Sequence, residues 1–186
     1  MRTLRARLGT FAEDTRGSMT VEMVVTLPML IWALVATYEF FEIHRYQSVR
    51  DKATYTIADM LSREEIGIND TYIDNSKILF DQITNDSGAN QIRVSVVEYI
   101  EDDDQYITQW SEVRGTGAFS PFAEDDEFPS GHETLPIMND GEVVILVESR
   151  SMYEPLLDLV FQDEIQMGTR VFTSLRFSPE LKCEAC

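Results

Sequence analysis

The sequence contains few residues that form disulfides or bind metals. Among 186 residues there are two cysteines and two histidines. Two cysteines cannot build the dense disulfide framework of a small secreted scaffold, so burial of apolar side chains must hold the fold together. The histidines, His44 and His132, lie far apart in the chain, and no phosphate-cradling glycine loop or nucleophile elbow occurs. We therefore expect no enzyme and no cofactor.

Basic residues are also scarce. There are 15 of them against 33 acidic residues, which gives a net charge of -18. Such a charge repels phosphate backbones, so we expect no nucleic-acid partner. The distribution is uneven, because residues 1–17 hold four arginines and two acids and leave -20 for residues 18–186. Two acidic runs, Glu101–Asp104 and Glu124–Glu127, lack the spacing of a calcium-binding EF-hand loop, so we expect solvated turns there.

One apolar block stands out from this polar background. Residues 23–38 carry no charge, and the wider segment 18–41 supplies 24 residues, about the length that a helix needs to cross a ~30 Å hydrocarbon core. We predict a transmembrane helix, with lipid as its surroundings, marked by Met23, Pro28, Trp32, Tyr38 and Phe41.

Two other interpretations of this block are weaker. A cleaved secretory signal needs small residues at its cleavage site, and Leu34 falls where one is preferred. A core helix of a soluble protein normally has a polar face, which residues 23–38 lack. Four arginines precede the block and three basic residues follow it closely, which favours a cytoplasmic N-terminus by a margin of one.

A short motif precedes the block: Gly17, four further residues, then Glu22 leading into the apolar segment. This arrangement resembles the processing site of type IV prepilins. With Val21-Glu22 followed by Leu27-Pro28, the chain is similar to the TadE/TadG pseudopilins of tight-adherence (Flp) pilus systems. The resemblance implies that a prepilin peptidase cuts between Gly17 and Ser18. It also implies contacts with other pilus subunits and the assembly platform, and a place in the bacterial inner membrane with the body in the periplasm or in a surface pilus.

Glu22 has two compatible roles. A carboxylate in hydrocarbon costs roughly 2.5 to 3.5 kcal/mol on insertion scales, so it needs a partner. The resemblance implies that this partner is the new amine of Ser18 in a neighbouring subunit, which sets register during assembly. The simpler alternative places Glu22 in the first turn of the helix, where the helix dipole favours a carboxylate, and makes Gly17 a plain turn before an N-cap at Ser18.

The remainder of the chain predicts an α+β body. Apolar residues at helical spacing continue the first helix, and we call this set the stalk stripe: Tyr46, Val49, Ala53, Ile57 and Leu61. A second helix is predicted over 71–84, a hairpin over 91–100 and 105–113, an irregular loop over 115–141, a strand over 142–150, a short helix over 153–161 and a last strand over 169–177. The result is a long transmembrane helix that continues into a pilin-like head with about four antiparallel strands and one or two short helices.

The division that follows is a cytoplasmic leader at 1–17, a transmembrane and stalk helix at 18–62, and an extracytoplasmic α+β domain at 63–186. Near the end of the chain, Cys183 and Cys186 form a C-x-x-C. Three states remain open for them: a local disulfide, free or intermolecular thiols, and a metal or redox site.

Two functions are consistent with these features. The resemblance favours a minor pseudopilin that helps to assemble an adhesive Flp/Tad-type pilus after cleavage behind Gly17. The alternative is a single-pass anchored extracytoplasmic domain that is never cleaved and binds calcium or a protein partner.

Overall fold

A computed structural model describes residues 18–86, 90–155 and 164–184. Within these ranges the elements are α1 (Ser18–Ser62), α2 (Asp70–Thr84), β1 (Gln91–Ile100), β2 (Gln105–Gly115), α3 (Gly131–Thr134), β3 (Val143–Tyr153) and β4 (Ile165–Ser174). The chain divides into two compact units: residues 1–42 with 155–162, and residues 43–154 with 163–186, here called the body. The predicted long N-terminal helix and the α+β class are confirmed.

The body is built on one four-stranded sheet. Its strand order is β2-β1-β3-β4, and every neighbouring pair is antiparallel, as the sequence predicted. In β2 one extra residue, Gln109, stands unpaired between Trp110, which faces Val96, and Thr108, which faces Val97. This bulge shifts the register of the pairing by one residue, and bulges of this kind increase the twist of a hairpin locally.

One face of the sheet packs against helices. Ile92, Val94, Val96 and their neighbours on β3 meet the second half of α1, where Ala53, Ile57 and Leu61 are completely buried. These three members of the stalk stripe therefore form the contact that their spacing predicted, while Tyr46 and Val49 are half-buried. Burying such side chains contributes about 1.5 to 3 kcal/mol for each large one.

Helix α2 completes this layer and is bounded by local signals. The Asn69 side chain accepts a hydrogen bond from the backbone N–H of Tyr72, which satisfies one of the unpaired donors at the helix start. Asn85 ends the helix in the left-handed conformation, at φ 51°. The predicted apolar face is confirmed, because Ile73 and Phe80 are fully buried.

The opposite face of the sheet is partly covered by residues 116–142. The sequence predicted an irregular loop there, and it contains the one-turn helix α3 together with a second apolar cluster around Phe128, Leu135 and Leu146. Gly131 is required in this layer, because a Cβ at that position would lie 2.6 Å from the Tyr106 ring. The segment is thus a packed cover and not a free loop.

The predicted bounds of the last two strands were wrong. β3 extends to Tyr153, which pairs with Ile165 and whose ring packs on that of Tyr46 at 4.9 Å between centroids. The predicted short helix over 153–161 therefore cannot begin at Tyr153, and most of it lies outside the described residues. β4 covers Ile165–Ser174 in place of 169–177, because the Arg176 backbone N–H donates to the Ser62 carbonyl at 3.0 Å and leaves the sheet.

A tyrosine in α1 makes the stability of the body sensitive to alkaline pH. The Tyr46 hydroxyl donates to the Met152 carbonyl at 2.8 Å and lies 3.4 Å from a carboxylate oxygen of Asp86. Burial and the charge of Asp86, partly offset by Arg50, raise the pKa of Tyr46 to about 12 from 10.0. The neutral phenol is therefore favoured by folding, and its contribution, full below pH 10, is lost as pH rises through 12.

We expect the free energy of unfolding to fall more steeply between pH 10 and pH 12 in the wild type than in Tyr46→Phe. Urea titrations of both chains across this range measure the difference. Equal slopes would contradict the assignment, and Tyr55→Phe, at an exposed tyrosine of the same helix, is the matched control.

Candidate processing site and membrane segment

The predicted processing site lies at the start of α1. Gly17 is outside the described residues, and Ser18 is the first residue of the helix. Ser18 is therefore a helical residue and not the N-cap of the simpler interpretation. Glu22 follows one full turn later, and the first turn contains no acidic residue. Glu22 therefore lies beyond the first turn of α1 as it is described from Ser18 onward.

Glu22 is exposed on the helix surface. Its backbone carbonyl accepts a hydrogen bond from the Thr26 hydroxyl at 2.8 Å, and the Thr37 hydroxyl bonds in the same way to the Ala33 carbonyl at 2.7 Å. These bonds satisfy the threonine hydroxyls within the helix itself. Two of the polar side chains in the apolar block thus need no partner from outside, whereas the Glu22 carboxylate does if lipid surrounds it.

The apolar block presents an uninterrupted hydrophobic surface. Every residue from 19 to 34 is exposed, including Met23 at 61% and Trp32 at 54%, and Tyr38 and Phe41 are also exposed. The helix runs through Pro28 without a break. An exposed apolar surface of this size is rare on soluble monomers and marks a membrane or partner contact. The helix is long and apolar enough to cross a membrane, and its most apolar stretch, unlike a core helix, is not buried.

The end of the apolar block contains one residue whose environment the sequence did not reveal. Glu39 is completely buried, although it lies only one residue after the exposed Tyr38, and it takes part in an interaction. A buried carboxylate needs partners from other parts of the chain, and helical spacing carries no signal for those.

The C-terminal cysteines are the last predicted site. Cys183 takes part in a disulfide bond, and Cys186, the only other cysteine in the sequence, lies outside the described residues. The backbone at Cys183 pairs with the segment that precedes α2, because Ile68 and Cys183 form a parallel β-bridge. The nearby Leu181 is buried, and its carbonyl accepts a hydrogen bond from the Trp110 indole at 2.7 Å.

In the three described ranges, no group of three or more His, Cys, Asp and Glu side chains is arranged to hold a metal ion. The acidic run Glu101–Asp104 forms an exposed turn between β1 and β2. Comparisons of the chain with protein-family models, with curated proteins and with solved structures gave no significant match.

Proposed function

We propose that this chain is a TadE/TadG-like minor pseudopilin, which a prepilin peptidase cleaves after Gly17 and which then takes part in assembling an adhesive Flp/Tad-type pilus. The segment 18–41 anchors it in the bacterial inner membrane, with residues 1–17 in the cytoplasm and the α+β domain outside. Its partners are the peptidase, other pilus subunits and the assembly platform. It catalyses no reaction.

The observation that carries the proposal is the division of α1 into two halves. From Met19 to Leu34 every side chain is exposed and the surface is apolar, whereas Ala53, Ile57 and Leu61 are sealed against the sheet. A single helix thus supplies both a lipid-soluble anchor and a packed support for a head. The Gly17–Glu22 motif stands at the start of this anchor, which is where the resemblance to prepilins requires a cleavage site.

The position of the motif also supports the proposal physically. A helix of 24 residues rises about 36 Å, enough to cross the hydrocarbon core with Glu22 close to one interface. Glycine before the scissile bond has no side chain to shield the carbonyl and reaches conformations that other residues adopt only at a cost. Ser18 becomes a free amine on cleavage, and this positive charge is available to neutralise a Glu22 carboxylate.

The experiment is a mass measurement of the N-terminus after extraction from membranes of cells that contain the cognate prepilin peptidase. We expect the chain to begin at Ser18, and the variant Gly17→Ala to keep its leader in most molecules. Gly9→Ala, within the same leader, is the matched control and should be cleaved like the wild type. A wild-type chain that retains residues 1–17 would overturn the proposal and favour the uncleaved anchored binding domain.

A further inference from the structure

The face of the sheet opposite α1 carries a hollow lined by arginines. Arg93 from β1, Arg150 from β3 and Arg170 from β4 surround the carboxylate of Glu148, and Phe119 closes one side. Three guanidinium groups and one carboxylate give this lining a net charge of +2, in a chain whose net charge is -18. We call this site the arginine hollow.

One carboxylate neutralises only part of this charge. Arg93 Nε donates to one oxygen of Glu148 at 2.7 Å, and Arg170 donates to the other oxygen through Nε at 3.0 Å and Nη2 at 2.8 Å. Both oxygens of Glu148 are therefore occupied. Two guanidinium groups share this one carboxylate, so the hollow has one uncompensated positive charge even before Arg150 is counted.

Arg150 is the arginine of the hollow that has no carboxylate partner in the described residues. Its guanidinium lies 4.5 Å from the centre of the Phe119 ring, and no carboxylate of the described residues lies within ion-pair distance of it. The residue that pairs with Arg150 on β4 is Gly168, which has no side chain to fill the arginine hollow. The five N–H donors of an arginine match a carboxylate in planar, two-point fashion.

The complementary charge lies at the other end of the same sheet. The β1–β2 turn exposes Glu101, Asp102 and Asp103, and in the described ranges no basic side chain lies within ion-pair distance of them. From Arg93 to Ile100 the strand advances seven residues, about 23 Å, so the turn cannot reach the hollow of its own chain. Only a different molecule can bring the two together.

We propose that the arginine hollow of one copy binds the acidic β1–β2 turn of a second copy. The arginine hollow and the acidic turn are different surfaces at opposite ends of the sheet, so the contact is head-to-tail. Such a contact can repeat along a row of copies without forming a closed dimer. The inference rests on the proposed function for its role, as a contact between subunits in an assembling fibre. The association itself is measurable without cleavage or pilus formation.

The test exchanges the charges of the two surfaces in the full chain. Each copy is placed singly in a lipid nanodisc of zwitterionic lipid, and association is followed by energy transfer between labelled scaffold proteins of different discs. Arg150→Glu in the hollow and Asp102→Lys in the turn should each weaken association by about tenfold or more, because the first removes the net positive charge of the hollow and the second leaves the three residues 101–103 with a net charge of only -1. Mixing the two variants should restore association between unlike copies, because the unaltered turn of Arg150→Glu then meets the unaltered hollow of Asp102→Lys.

Two controls make the charge change specific. Lys52→Glu and Glu65→Lys reverse exposed side chains outside both surfaces and alter the net charge by the same amounts, so association should stay at the wild-type level. Gly168→Val fills the hollow without altering charge and should also weaken association. A Cβ at this position makes only an ordinary contact, 3.4 Å from the Ser149 carbonyl, so the variant should fold.

Absence of association by the wild type, or equal association by Arg150→Glu, would overturn the inference. So would a mixture of the two reversed variants that remains dissociated while both keep the unfolding curve of the wild type. The same preparations, made without the peptidase, keep this result separate from cleavage at Gly17. A chain that is cleaved but does not associate would retain the proposed function and lose this contact.

Discussion

Replacing Glu148 by alanine is expected to lower the free energy of unfolding by about 3 to 5 kcal/mol, the usual result of stranding a buried charge. The Glu148 side chain is 5% exposed and that of Arg93 is 10% exposed. Without the carboxylate, Arg93 keeps one hydrogen bond to the Ser120 carbonyl at 3.0 Å and its stacking on Phe122, at 3.8 Å from the ring centre. These contacts replace only part of the lost attraction.

The measurement uses the two tryptophans of the chain. Trp110 is partly buried in the body and hydrogen-bonded to the Leu181 carbonyl, whereas Trp32 lies in the exposed apolar block. In a Trp32→Phe background, fluorescence during a urea titration in detergent therefore reports on unfolding of the body alone. The slope of the transition should stay constant if stability alone has changed.

Two variants separate the buried pair from the surface charge. Arg170→Ala removes a side chain that is 40% exposed, so we expect a loss of no more than about 1 kcal/mol. The double change Arg93→Met with Glu148→Leu removes both buried charges and should be close to neutral. A loss by Glu148→Ala no larger than that of Arg170→Ala would show that Arg93 does not depend on this carboxylate.

The sequence predicted the elements whose signal is local. The second half of α1 repeats apolar residues at three- and four-residue steps, and one helix face accounts for all of them. The β1–β2 hairpin was correct in both strands because alternating residues flank a polar turn at 101–104. β3 was found as an apolar run, with its end misplaced because Ser151 and Tyr153 depend on pairing with β4.

Features that depend on which strands become neighbours could not be predicted. Arg93 and Glu148 are 55 residues apart and face each other only because β1 pairs with β3 in one register. The packing of residues 116–142 against the sheet could not be predicted either, because the buried residues Phe128 and Leu135 are not spaced at a helical or strand period.

Replacing Glu22 by alanine is expected to separate membrane insertion from assembly. Removing a carboxylate from the apolar segment should favour insertion by roughly 2.5 to 3.5 kcal/mol on insertion scales. Incorporation into pilus-associated complexes should nevertheless fall by about tenfold or more, since a lost attraction of 1.4 kcal/mol already has that effect. The physical reason is that the amine of Ser18 in a neighbouring subunit would lose the carboxylate that neutralises it.

Thr26→Val is the matched control, one turn further along the same helix. It removes a hydroxyl that bonds only to the Glu22 carbonyl, so insertion and assembly should both stay near the wild-type level. Glu22→Asp keeps the charge on a shorter side chain and should retain more assembly than Glu22→Gln, which keeps the length without the charge. Normal cleavage and normal assembly by Glu22→Ala would remove the charge-pairing role, because the helix would then be an anchor and nothing more.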